Sequence, residues 1–114
     1  MVTRLSTPLS GLKDSQARIQ ATAHNTSNAT SDAFSRQQVR SVESPGAGVR
    51  TSVDTVDLSP QGRAIAESLP SAQNNVNLVS ETVNRIAAQR SFETNSRVLR
   101  TQDHLARSLL DLTA

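Results

Sequence analysis

The chain has 114 residues, a formal charge of +2, no cysteine, two Phe, one Met and neither Trp nor Tyr. Leu, Ile, Val and Phe number 26 against 42 Ser, Thr, Asn and Gln. That is one domain's worth of sequence, barely above the apolar fraction of roughly 20% below which chains tend to be disordered, and it excludes disulfides, thiolate metal sites and a thiol nucleophile. The pI near 10.4 does not imply a nucleic-acid partner, because with one Lys among eleven Arg and no Tyr or Cys a small excess of Arg moves the pI far upward. Charge is +1 over residues 1–33, zero over 34–75 and +1 over 76–114, which leaves no basic face for a phosphate backbone.

Leu5, Leu9, Leu12, Ile19 and Ala23 recur at helical spacing, so residues 5–24 read as a narrow-striped amphipathic helix, with Thr7-Pro8 as a start signal. Arg4 has no apolar segment behind it, and nowhere does the sequence approach the roughly 20 apolar residues of a membrane span. No direct membrane span is therefore expected, and passage out of the cytoplasm is expected to need no cleaved signal. The run NTSNATSD at 25–32 is dense in side chains that compete for backbone hydrogen bonds, so the helix should end there.

In 34–75 the pattern changes. Arg36 to Val42, a Ser-Pro-Gly-Ala-Gly turn at 44–48, and Val49, Thr51, Val53 and Thr55 alternating with polar residues predict a β-hairpin or extended arm, with a mobile linker as the alternative. Ser59-Pro60 should cap a short helix containing Ile65 and Leu69 and closed by Pro70.

From Val76 to Leu112 there is neither Pro nor Gly, and Val76, Val79, Val83, Ile86, Val98, Leu105, Leu109 and Leu112 form a stripe interrupted by Gln89 and Arg90. Such a helix would be roughly 55 Å long, too long for a compact small domain. Glu81 with Arg85, Glu93 with Arg97 and Asp103 with Arg107 stand at i,i+4 with the acid first, which marks a solvated face. A long helix of this kind gains most of its stability by burying its apolar face, so it needs a partner. The expected fold is mainly α: N- and C-terminal helices (1–33 and 76–114) paired as an antiparallel coiled coil and joined by a hairpin or extended connector at 34–75. Leu5, Leu9, Leu12 and Ile19 are expected to bury against Val79, Val83, Ile86, Val98, Leu105 and Leu109, completed by neighbouring molecules.

Chemistry is sparse. His24 and His104 have no second ligand at metal spacing, no nucleophile elbow surrounds any Ser, and the four Gly form no phosphate loop. No catalytic residue, metal or cofactor is expected.

Two segments resemble the bacterial flagellar rod and hook (axial) proteins. In that family the N-terminal helix ends in Ala-x-Asn-(Ile/Leu)-Ala-Asn-Ala-x-Thr-x-Gly-(Phe/Tyr) and a basic residue; Ala23, Asn25, Ser27, Asn28, Ala29, Phe34 and Arg36 occupy the matching places. Residues 75–95 follow the family's C-terminal run almost position by position, with Ala88-Gln89-Arg90, Phe92-Glu93 and Asn95 in register. Thr26 stands where the family has Ile or Leu, and Asp32-Ala33 where it has Pro-Gly, so an apolar anchor and a sharp turn should be lost.

The resemblance implies a structural subunit similar to the small proximal-rod members. Its paired ends would form an inner-core domain, its partners would be other axial subunits and itself, and it would pass through the flagellar type III export apparatus into the periplasmic rod. Rival readings are a soluble helical adaptor or export chaperone, a divergent rod-like paralogue, and a nucleic-acid-binding helical protein, the last opposed by the acids among its Arg.

For assembly, Asn25, Ser27, Asn28, Phe34, Gln89, Arg90, Phe92, Glu93 and Asn95 are the candidate residues. Gln89-Arg90, as a polar break in the stripe, would fix register, and Arg90 would pair with a neighbour's carboxylate. Asn25, Asn28 and Asn95 would cap helix ends or bridge subunits, and Phe92 would fill the space between helices.

Overall fold

The structure, a computed structural model, describes residues 2–46, 48–69 and 74–113. Its elements in chain order are α1 (Val2–Ser27), β1 (Gln37–Ser44), β2 (Gly48–Thr55), α2 (Pro60–Ser68) and α3 (Leu78–Thr113). The mainly helical architecture with long terminal helices packed together and a two-stranded hairpin between them is the expected one.

α1 begins well before Pro8, which lies inside the helix and is buried rather than opening it. The proline costs α1 one amide donor, so its local signal is a start but burial overrides it. The helix closes where expected: the Asn28 amide donates to His24 O and the turn continues through Ser31 to Asn28 O. Ala33 then takes φ +53, in the left-handed region that disfavours a side chain. The sharp turn expected to be lost with the missing glycine is therefore kept, at the cost of strain in Ala33.

β1 and β2 pair antiparallel from Gln37↔Thr55 to Ser44↔Gly48. Gly46 (φ +76) and Gly48 (φ +85) supply the positive φ that the tight connection requires. At Gly48 a Cβ would also collide with Ser10 Oγ and come within 3.2 Å of Thr7 Cα, so the hairpin tip lies close against α1. α2 starts as predicted: the Ser59 hydroxyl accepts from the Gly62 amide at 3.1 Å and Pro60 occupies the first turn. Its proposed terminator, Pro70, lies outside the described residues. Arg63 pairs with Asp57 at 3.3 Å, and Ala66 is buried.

α1 is the central element, with the hairpin on one side and α3 on the other. The Ser15 hydroxyl meets that of Ser91 at 3.1 Å, and Gly11 lies against Asn95 so closely that a Cβ would come 2.7 Å from Nδ2. Both contacts share one antiparallel offset. Continued, it sets Ser27 level with about residue 79 and Val2 level with about residue 104, so α3 overshoots by about nine residues, roughly 14 Å, all at one end. The molecule is accordingly a rod of 73 × 25 × 14 Å.

The seam between the helices corrects the expected core. Gly11 against Asn95 and Ser15 against Ser91 meet across it, and the buried residues of the two helices are Ser15, Ala21, Thr22 and Asn25 of α1 with Glu81 and Ala88 of α3. Leu5, Leu9, Val79, Val83, Ile86, Val98, Leu105 and Leu109 are exposed, Val79 at 75%, while Leu12 and Ile19 are half-buried. On α1 the leucine stripe lies one residue, about 100°, round the helix from the small-residue face. Small side chains let two backbones approach closely, and that face takes the partner helix while the larger residues flank it. Among the described residues the buried hydrophobics are only Ala21, Ala66 and Ala88.

Candidate functional site

The inner face of the hairpin sets Ser41 and Thr51 beside Val39 and Val49, and α1 meets it with a polar ladder. Ser10 Oγ donates to Thr7 O at 2.8 Å and accepts from the Val49 amide at 3.1 Å, which ties β2 to the first half of the helix. One turn on, the Asp14 carboxylate accepts from Arg18 Nε at 2.9 Å, from Thr51 Oγ1 at 3.0 Å and from Ser41 Oγ, and Arg18 also donates to Ser41 at 2.6 Å. Burial pushes the Asp14 carboxyl up, but hydrogen bonds from Ser41, Arg18 and Thr51, with the charge of Arg18, outweigh it and hold the group below the usual carboxylate range.

At the end of α1 the clips are asparagines. Asn25, 1% exposed, donates from Nδ2 to Gln37 O at 2.8 Å and accepts from the Gln37 amide at 2.7 Å, completing both backbone groups as a neighbouring strand would. Asn75 does the same at the open end of the hairpin, accepting from the Arg36 amide and donating to Val56 O, both at 2.7 Å, beside the Val56 amide's bond to Arg36 O. Asn74 gathers the carbonyls of Asn28, Ala29 and Ser31 at 2.8–3.0 Å, closing the turn after α1. Asn77 caps α3, its Oδ1 accepting from the amides of Val79 and Ser80. Within four residues, three asparagines fasten α1, the hairpin and α3 together.

The expected assembly residues therefore divide. Asn25 is an internal clip, and Asn28 caps locally, donating to His24 O at 2.9 Å. Phe34 is half-buried with its ring 5.4 Å from that of His24. Asn95 lies against Gly11 in the seam. Ser27, Gln89, Arg90, Phe92 and Glu93 are exposed, so Phe92 does not fill the space between helices within one chain. Asn74 and Asn77 hold the fold together and were not among the residues expected from the sequence. Their signal was present, since Asn immediately before a long Gly- and Pro-free helix is a capping residue.

Of the three i,i+4 pairs expected on α3, only Asp103 with Arg107 forms among the described residues, at 3.0 Å and well exposed. Glu81 instead turns inward, 2% exposed, into a groove of about 370 Å³ between α1, β1 and the start of α3.

Among the described residues no group of three or more His, Asp or Glu side chains is placed to hold a metal, and no helix is long and apolar enough to cross a membrane. What the surface does offer is apolar: Leu5 and Leu9 on α1, Val79, Val83 and Ile86 at the start of α3, and Leu105, Leu109, Leu110 and Leu112 along its overshoot.

No curated protein matches the chain. Residues 72–112 match the family described as flagellar basal body rod FlgEFG protein C-terminal, a stretch that takes in the asparagine caps and nearly all of α3. By that segment, about a third of its length, the chain is similar to proteins of the flagellar basal-body rod family.

Proposed function

We propose that the chain is a structural subunit of the flagellar rod, assembling helically through its paired terminal helices, with no catalytic role. The observation that carries this reading is the inversion of its surface. Among the described residues three alanines are the buried hydrophobics, while sixteen large apolar side chains are exposed. Exposed apolar area of this extent marks an interaction surface. The family match at 72–112 supports a rod-type structural role, a location in the basal body and other rod subunits as partners.

In this reading the neighbours are further copies and other axial subunits, reached in the periplasm after passage through the type III export apparatus without a cleaved signal. The asparagine clips hold α1, the hairpin and α3 as one prefolded end, and the apolar faces are completed by the assembly.

The test is to delete the gene and fractionate cells carrying a tagged copy. Loss of swimming, with the tagged chain recovered in detergent-extracted basal bodies, is the expected result. Normal motility with the protein retained in the cytoplasm would replace the rod subunit with a soluble adaptor or export chaperone.

A further inference from the structure

The groove that holds Glu81 borders the Asp14 ladder at Arg18. It is bounded by Arg18 and Thr22 of α1, Val39 of β1, and Asn84 and Ala88 of α3. Glu81 is 2% exposed, and its Oε2 has no hydrogen-bond partner. A carboxylate withdrawn from water without a partner is costly, so a group left in that condition calls for a cation or donor from somewhere. Within the groove Arg18 is engaged with Asp14 and Ser41. Arg36 lines the groove but makes no ion pair with Glu81.

The same helix displays the complementary group. Arg97 and Arg100 are exposed beside Phe92, which is itself 39% exposed, and among the described residues neither arginine has a carboxylate partner. Arginine is among the residue types enriched where protein interfaces hold most of their energy. They cannot reach Glu81 of their own chain. Sixteen and nineteen residues of straight helix separate them from it, roughly 24 and 28 Å.

We propose that the Glu81 groove is a docking site for a second copy of this chain, filled by an arginine of that copy's Phe92, Arg97 and Arg100 patch. The inference rests on the rod reading for one feature only, the parallel alignment of copies. Given that alignment, the helix spacing fixes the stagger between partners at about 24–28 Å. Buried carboxylate and exposed guanidinium then repeat from copy to copy, each chain giving one and receiving one, which is a head-to-tail contact that does not close on itself.

The test uses the full chain. E81Q should raise the melting temperature of the monomer, because it removes an unpaired buried charge, while weakening self-association at least tenfold by sedimentation. R97Q with R100Q, both on the surface, should weaken association equally and leave melting unchanged, so the test survives if E81Q misfolds. Since the chain has no cysteine, N84C with S96C, which leaves both arginines in place, gives an unambiguous report. These positions lie about 18 Å apart in one helix, far beyond the roughly 7 Å Cα separation a disulfide spans, so only a bond between copies can form.

A covalent ladder of dimers and higher species on mild oxidation is expected. Equal loss of monomer stability in E81Q and R36Q would overturn the proposal by showing that Arg36 serves the carboxylate within the chain. A wild-type chain that stays monomeric, with no cross-linked species, would overturn it too, even where basal-body fractionation upholds the rod reading. Cross-linking by a chain that stays in the cytoplasm would uphold the contact and overturn the rod.

Discussion

The two ends of this rod-shaped molecule are built on opposite principles. At the open end of the hairpin, buried and half-buried asparagines are paired: Asn25 on Gln37, Asn75 across Arg36 and Val56, Asn74 over the last turn of α1. At the other end α3 runs past α1 with Leu105, Leu109, Leu110 and Leu112 exposed, Leu112 at 84%. Hydrogen bonds are directional and saturable, so the asparagine clips of the first end specify one geometry within a single chain. Apolar contact is non-directional and scales with area, so the second end waits for any surface that fits. Among the described residues polar contacts hold the fold while the large apolar side chains are mostly exposed, the reverse of an ordinary globular domain.

The largest effect should come from breaking the polar end. N25A removes the partner of both the amide and the carbonyl of Gln37, and each buried group left unsatisfied costs about 1–3 kcal/mol. A loss of roughly 2–5 kcal/mol in chemical denaturation is expected. An unchanged midpoint would show that the hairpin is not fastened through this residue and would remove the contrast between the two ends.

A smaller effect should follow acidification. The folded Asp14 carboxyl lies below its unfolded value of about 4, so its contribution is present above that pH and is lost as pH falls through the folded value. Melting temperature should therefore drop on going from neutral pH toward pH 2–3, and D14N, less stable at pH 7 by about 1.5–3 kcal/mol, should flatten this part of the curve. A profile identical in the two proteins would remove Asp14 from the ladder that ties the hairpin to α1.

Smaller again is A33G. Ala33 holds φ +53, a conformation that costs a side chain roughly 1–2 kcal/mol, while glycine adds chain entropy in the unfolded state. A net gain of about 0.5–1 kcal/mol is expected. A loss would mean that the turn tolerates the alanine without strain.

These three sites also show how far the sequence could be read. The elements were legible because each has a local cause: the alternation at 49–55, the Ser59-Pro60 cap, the Pro- and Gly-free run from Val76. The pairing of the terminal helices followed from their length and striping. Which faces pair did not, because periodicity marks large apolar residues, whereas the seam uses Gly11, Ser15 and Ala88, whose value is that they are small. Asn25 was singled out, but its bond to Gln37 spans twelve residues and a change of secondary structure, which no local pattern encodes. The i,i+4 spacing of Glu81 and Arg85 marks a solvated pair; the groove formed with α1 and β1, which no local pattern encodes, is where Glu81 is buried.

The smallest expected effect on the single chain carries the most information about the apolar end. Leu109 and Leu112 lie beyond the last turn of α3 that α1 accompanies, so L109S with L112S removes no packing against α1 among the described residues. Stability of the isolated protein should change by no more than about 0.5 kcal/mol, as for other exposed substitutions. Incorporation into basal bodies, in contrast, should fail, because these leucines are what a neighbouring molecule would cover. Loss of stability in the isolated chain would mean that the overshoot folds back on its own molecule, and the two ends would then differ in chemistry but not in completeness. Unchanged stability with unchanged incorporation would place the contacts between copies on the other exposed apolar face, along Val79, Val83 and Ile86, close to the polar end.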